Sequence, residues 1–149
     1  MERDTLLTNV KVSVEAKQTE LDNVIINPEG ISIIEVKNYY GTLTGDEGSC
    51  DWIQTKNSFG GNFYQKSIKN PIKQVKRQKY ILSTFLKENG IDLWINGYVF
   101  FVEMNSPVES EYVLRTQKDI DKAIHKGAKR KLSESEICTV VELLQKQGK

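Results

Sequence analysis

Two β-branched runs joined by a tight turn constrain this chain more than any other stretch. Glu20-Leu21-Asp22-Asn23-Val24-Ile25-Ile26 leads into Asn27-Pro28-Glu29-Gly30, and Ile31-Ser32-Ile33-Ile34-Glu35-Val36-Lys37 leads out. Pro28 presets its own φ, Gly30 tolerates a positive φ, and Asn27 can bond the turn backbone, so the segment predicts a β-hairpin. Glu20, Asp22, Glu35 and Lys37 interrupt its apolar strands.

The spacing of those charges carries the argument. Side chains alternate along a strand, so Glu20 and Asp22 share one face, as do Glu35 and Lys37. With Pro28-Glu29 as the loop, Asn27 faces Gly30, Asp22 faces Glu35 and Glu20 faces Lys37. Directly opposed residues have Cβ atoms roughly 4.5–5.5 Å apart, where like charges repel. Two facing carboxylates amid apolar sequence ask for a cation, and a divalent metal with oxygen ligands answers that need. Lys37 then lies near a reacting anion or water. The same residues also suit a type I turn closed by a glycine bulge, which would send Asp22 and Glu35 to opposite faces. The shared-face register is adopted because it accounts for charges inside buried-looking strands.

A length of 149 residues suits a single domain spanning residues 1–149. Hydrophobic residues make up 38% and charged residues 28%, which predicts a globular chain rather than a disordered one. Lys and Arg number 21 against 20 Asp and Glu, so a basic surface must come from clustering. Cys50 and Cys138 match no metal or redox spacing and read as reduced thilols of an intracellular, cytoplasmic protein. No run is long enough to span a membrane, and there is no signal peptide.

Around the hairpin, Leu6 to Val14 reads as a strand and Glu15 to Gln18 as a polar turn. Tyr39 to Gly45 continues as a strand with Gly41 as a bulge. Asp51 to Thr55 and Asn62 to Gln65 form a second hairpin across a glycine-rich connection. Asn70-Pro71 starts a helix that runs to about Asn89, with Gly90 just past its end. Its first half is basic, through Lys69, Lys73, Lys76, Arg77 and Lys79. Gln74 and Gln78 are neighbours on one face. Ile95 to Val102 is the most apolar strand and is placed centrally in the sheet. Glu111 to Arg115 is a further strand. Thr116 caps a short helix that ends before Gly127. Ser133 and Glu136 form a capping box for a last helix with Ile137, Val140, Val141 and Leu144 on one stripe. This order favours a layered α/β arrangement with a mixed sheet.

Asp22 followed by Glu35-Val36-Lys37 resembles the acidic-residue-then-Glu-x-Lys pattern of the PD-(D/E)XK nuclease superfamily. Within it, the chain from about Leu6 to Val102 is similar to the NERD (nuclease-related) domain. The shared pieces are Glu20-Leu21-Asp22, Gly30-Ile31, Ile34 to Asn38, Gly41, Trp52, Asn70-Pro71-Ile72 with Gln74, and Gly97 to Phe101. The resemblance implies a restriction-endonuclease-like mixed β-sheet flanked by helices. It implies a metal-dependent nuclease hydrolysing phosphodiester bonds, with DNA as partner. Asp22 and Glu35 would hold Mg²⁺ or Mn²⁺, Lys37 would act on the attacking water or the phosphate charge, and Gln74 would line the site. Family members carry a helix before the first strand with a further glutamate. Here Met1-Glu2-Arg3-Asp4 leaves no room for that helix, and Glu2 substitutes poorly. A partner domain or protein is a common companion of the family.

Other readings stay open. The same fold with an incomplete site would serve as a non-catalytic nucleic-acid-binding or protein-interaction module. Lys69, Lys73, Lys76 and Arg77 are candidates for contacting a phosphate backbone. Glu20 reads as a supporting residue or a partner of Lys37, and Gln78 as a plain helix-surface residue. Trp52, Phe59, Phe63 and Tyr64 read as core aromatics in preference to base-stacking ones. Lys126, Lys129, Arg130 and Lys131 decorate a helix connection, and His125 is a surface residue near a helix end.

Overall fold

A computed structural model describes residues 4–57, 60–127 and 130–147. The expectations for Glu2, Phe59 and Lys129 fall outside the described residues.

The described residues form eight strands and three helices in the order β1 (Thr5–Val14), β2 (Lys17–Asn27), β3 (Gly30–Lys37), β4 (Thr42–Thr44), β5 (Asp51–Asn57), β6 (Phe63–Lys69), α1 (Pro71–Glu88), β7 (Ile95–Phe101), β8 (Val113–Leu114), α2 (Gln117–Ile124) and α3 (Glu134–Gln147). The main sheet has the order β1-β2-β3-β7-β8, with β1, β2 and β3 antiparallel and β3, β7 and β8 parallel. A second sheet, β4-β5-β6, is antiparallel. The middle strand is thus β3, not the apolar β7, which lies one place further out. Both strands are covered on two faces, and that explains their near-continuous apolar sequence.

The strand alternation sorts the core into two layers. Ile31 and Ile33 of β3 join Val24, Ile26, Val99, Ile72, Val75, Val140 and Leu144 in the larger cluster, under α1 and α3. Ile34 points the other way, to Tyr98, Leu114 and Ile124, under α2. Fully burying one such aliphatic side chain contributes about 1.5–3 kcal/mol. The fold is therefore a mixed sheet flanked by helices, of the restriction-endonuclease-like kind. Among the described residues no helix is long and apolar enough to cross a membrane.

Local signals set the helix starts. The Asn70 side chain accepts from Ile72 N at 2.9 Å, with Pro71 at the first helical position. The same amide donates to Glu47 O at 2.8 Å and Ser49 O at 2.7 Å, so the cap also fixes the loop before β5. Thr116 with Asp119, and Ser133 with Glu136, form the two capping boxes. Two elements are shorter than expected: residues 38–41 are irregular before β4, and β8 keeps only Val113 and Leu114.

Candidate functional site

Asn27 pairs with Gly30 and Asn23 with Ile34, so Pro28-Glu29 is the loop and the alternative glycine-bulge register is not adopted. Gly30 takes a φ of 135°. The β2–β3 ladder stops at Asn23, one residue short of Asp22. The β1–β2 ladder also skips a rung there, between Thr8–Asn23 and Val10–Leu21. Asn9, at the skipped rung, has a φ of 53°. Val24 on one side and Leu21 on the other both enter the larger core cluster, although they are three positions apart. Strict alternation would have sent them to opposite faces, so β2 turns its faces over at Asp22. Asp22 is half-buried, and its Oδ2 accepts from Val36 N at 3.4 Å. That carboxylate takes up the backbone donor where the ladder ends.

Beyond this point β2 stays with β1. Glu20 is exposed and lies across from Lys11, so the expected pairing of Glu20 with Lys37 is not formed. Lys37 instead meets Glu35 on its own strand, Nζ to Oε1 at 3.5 Å. Its ammonium also stands 5.9 Å from the centre of the Tyr39 ring.

Glu35 is buried, 9% exposed. Gln78 Nε2 donates to its Oε2 at 3.1 Å across the α1–β3 interface. Burial raises the Glu35 pKa above the usual glutamate value; the Gln78 hydrogen bond and Lys37 oppose this, and the Asp22 charge adds to it. Through its bond to Val36 N, the Asp22 carboxylate is held against the residue that follows Glu35, at the carboxyl end of β3.

Gln78 was expected on the helix surface and is instead 6% exposed against Glu35. The signal was present: Val75, Gln78, Leu82 and Phe85 recur at the spacing of one helix face, and all are buried. Gln74 lies one turn earlier, half-buried. The Oε1 atoms of Gln74 and Gln78 are both buried without a hydrogen-bond partner. Such orphans are uncommon, and each leaves an acceptor lone pair unused. Among the described residues no group of three or more His, Cys, Asp and Glu side chains comes together. Two carboxylates with orphaned amide oxygens on the neighbouring helix are nonetheless a hard, oxygen-only donor set, which fits Mg²⁺ or Mn²⁺.

The basic run does not form one stripe. Lys69 pairs with Asp51 at 3.7 Å and Lys76 with Glu47 at 3.8 Å. Lys73 Nζ lies 3.9 Å from Cys50 Sγ, and Arg77 Nη1 donates to Gln18 O at 3.4 Å. Lys76 also stacks over Tyr112, while Lys79 stands over Trp94. A cavity of about 590 Å³ opens at the opposite end of β3, lined by Glu29, Gly30, Trp94, Lys126, Arg130 and Leu132. Lys131 pairs with Glu29, and Arg130 with Glu136.

Two further expectations are corrected. His125 lies at the end of α2, as expected, but is half-buried rather than a free surface residue, with its Nε2 2.9 Å from Asp4 Oδ2. Trp52 is fully buried, but Phe63 and Tyr64 are 64% and 54% exposed, since β6 is an edge strand that runs past the core. Cys50 and Cys138 are exposed and unpaired.

The family model of the nuclease-related domain matches residues 2–102. An uncharacterized protein of Bacillus anthracis is 35% identical over 65 residues, covering 40% of this chain and 31% of the relative. The chain thus matches about a third of that relative's length. No solved structure matches significantly. The match spans the whole β2–β3 hairpin, α1 and β7, well over half of the chain, and the chain belongs to the nuclease-related domain family of the PD-(D/E)XK-like nuclease fold.

Proposed function

We propose that the cluster at the carboxyl end of β3 is a divalent-metal-dependent site that hydrolyses phosphodiester bonds in DNA. The observation that carries this is the burial of Glu35 beside Asp22, with two unused glutamine oxygens on the adjacent helix. A buried carboxylate that also faces a second one is costly when ionised unless a cation joins it. Asp22 and Glu35 would hold Mg²⁺ or Mn²⁺, with Gln74 lining the same space. When bound, such a metal polarises a phosphoryl oxygen and lowers the pKa of bound water. Gln78 holds Glu35 in place through its amide N–H. Lys37 supplies a fixed positive charge beside the carboxylates, suited to orienting the attacking water or to offsetting charge on the phosphate in the transition state. Lys69, Lys73, Lys76 and Arg77 would position the backbone of the nucleic acid. The reading takes residues 1–149 as one cytoplasmic domain, in which α3 shares the core of the family-matched portion.

Metal titration tests the site. Asp22→Ala and Glu35→Ala should each weaken Mn²⁺ binding at least about hundredfold, as loss of a ligand exceeds the effect of losing an outer-shell partner. Mn²⁺-dependent cleavage of a labelled oligodeoxynucleotide should disappear in both. Unchanged Mn²⁺ affinity in the two variants would sink the proposal. The presence of only paired carboxylates among the described residues favours one other reading, a nucleic-acid-binding module without catalysis. DNA binding with no cleavage at any metal concentration would establish that reading instead.

A further inference from the structure

The β5–β6 hairpin leaves the core carrying side chains that the packing does not explain. Its register pairs Trp52 with Ile68, Gln54 with Lys66 and Lys56 with Tyr64, so these six share one face. The inner end of that face is anchored: Trp52 stacks on Phe101 with ring centres 6.1 Å apart, and Ile68 and Leu43 join the core. Gln54 is buried in the middle, donating to Tyr40 O at 2.8 Å. The outer end runs past the core, and there Tyr64 and Lys66 are exposed while Lys56 is half-buried.

This outer end is held against the segment that follows Lys37 at the end of β3. Gly41, in the segment that leaves Lys37, has a φ of 91°, and a Cβ there would meet Thr55 O at 2.3 Å and Lys56 Cγ at 3.3 Å. Only glycine allows the hairpin to lie this close to that segment. The charge is one-sided as well. Among the described residues of the hairpin, the lone acid is Asp51, at its base and paired with Lys69. Lys56 faces Tyr64 and Lys66 faces Gln54, so neither has an acid across from it among the described residues of the hairpin. Lysines alone would be explained as protection of an edge strand, but an exposed tyrosine between them would not. Cations flanking an exposed aromatic ring suit a strand whose bases are unpaired and free to stack.

We propose that this hairpin is an arm that grips single-stranded nucleic acid on the face bearing Lys56, Tyr64 and Lys66, feeding it toward Asp22 and Glu35. The inference rests on the nucleic-acid reading above but not on its chemistry. Phe63, equally exposed on the opposite face, serves as the internal control.

The experiment is fluorescence anisotropy with a labelled oligothymidylate in EDTA at low salt, where no cleavage occurs. Tyr64→Ala should weaken binding about tenfold and should have no effect on an abasic strand of the same length, which has nothing to stack. Lys56→Ala and Lys66→Ala should weaken both strands alike, each reducing the salt slope by about 0.7. Phe63→Ala should bind as the parent does. The positions of Tyr64, Lys66 and Phe63 are exposed, so melting temperatures should not move. Parent-like binding by Tyr64→Ala and by a Lys56→Ala/Lys66→Ala double variant overturns the arm. So does tighter binding of duplex, or a concentration-dependent dimer that sequesters β6. If the parent binds no strand at all, the arm falls, and Mn²⁺ titration still decides separately on the Asp22–Glu35 site.

Discussion

Asn27 and Glu35 are both buried polar residues of one hairpin, at opposite ends of β3, and their surroundings treat them differently. Asn27 is 2% exposed and uses its whole amide: Nδ2 donates to Asp4 Oδ1 and to Ile124 O, each at 2.9 Å, and Oδ1 accepts from Glu29 N at 2.9 Å. Glu35 receives one amide hydrogen bond and one ammonium, lies near a second carboxylate, and has orphaned glutamine oxygens on the helix above. The first arrangement closes the turn, locks α2 to it and asks for nothing more. The second holds unused acceptors and unfavourable charge, which is what the proposed cation would relieve.

The sharpest way to break this comparison is to substitute both residues and measure stability in urea without metal. Asn27→Ala should cost about 2–3 kcal/mol, since it leaves buried donors and acceptors unpaired. Glu35→Gln should cost nothing at neutral pH, because it removes an ionised group that burial disfavours. An equal loss in both variants would mean that Glu35 is as structural as Asn27.

The next effect concerns the orphaned oxygens. Gln74→Leu should leave the metal-free protein at least as stable as the parent, yet weaken Mn²⁺ binding by about tenfold. Saturating Mn²⁺ should raise the parent's melting temperature and leave that of Glu35→Gln unmoved. A Gln74→Leu variant with full metal affinity would remove that glutamine from the donor set.

The smallest effect is the pH dependence. Glu35 has a folded pKa above its unfolded value, so its contribution is intact below the unfolded pKa and is lost as pH rises through the folded one. The parent should therefore lose ground to Glu35→Gln as pH climbs from about 4.3 upward. Asp4 has the opposite sign. Burial raises its pKa, but the Asn27 amide and His125 outweigh that and leave it lowered. Its contribution is present above the unfolded pKa and is lost as pH falls through the folded one. Urea titrations of Glu35→Gln and Asp4→Asn across this range should show difference curves of opposite slope.

Much of the fold was legible in the residues. Pro28 and Gly30 specify a two-residue loop, and Asn70-Pro71 and the two capping boxes mark where helices begin. What was not legible involves partners far apart in sequence. Gln78 looked like a surface polar residue although its spacing with Val75 and Leu82 marked the buried face. A straight ladder would set Glu20 opposite Lys37, whereas β2 turns over at Asp22 opposite Asn9. Phe63 and Tyr64 are large enough for a core, yet among the described residues no layer covers the outer half of β6.

The amino-acid sequence by itself determined the β2–β3 register and the ends of α1, because a turn or a cap is decided by side chains a few residues from the backbone they bond. It also carried the family resemblance. Tertiary structure alone decided that Gln78 reaches Glu35, that β3 is the middle strand and that His125 meets Asp4. Those contacts depend on which layer covers which face, and burial, which sets the Glu35 charge balance, exists only once the layers have closed.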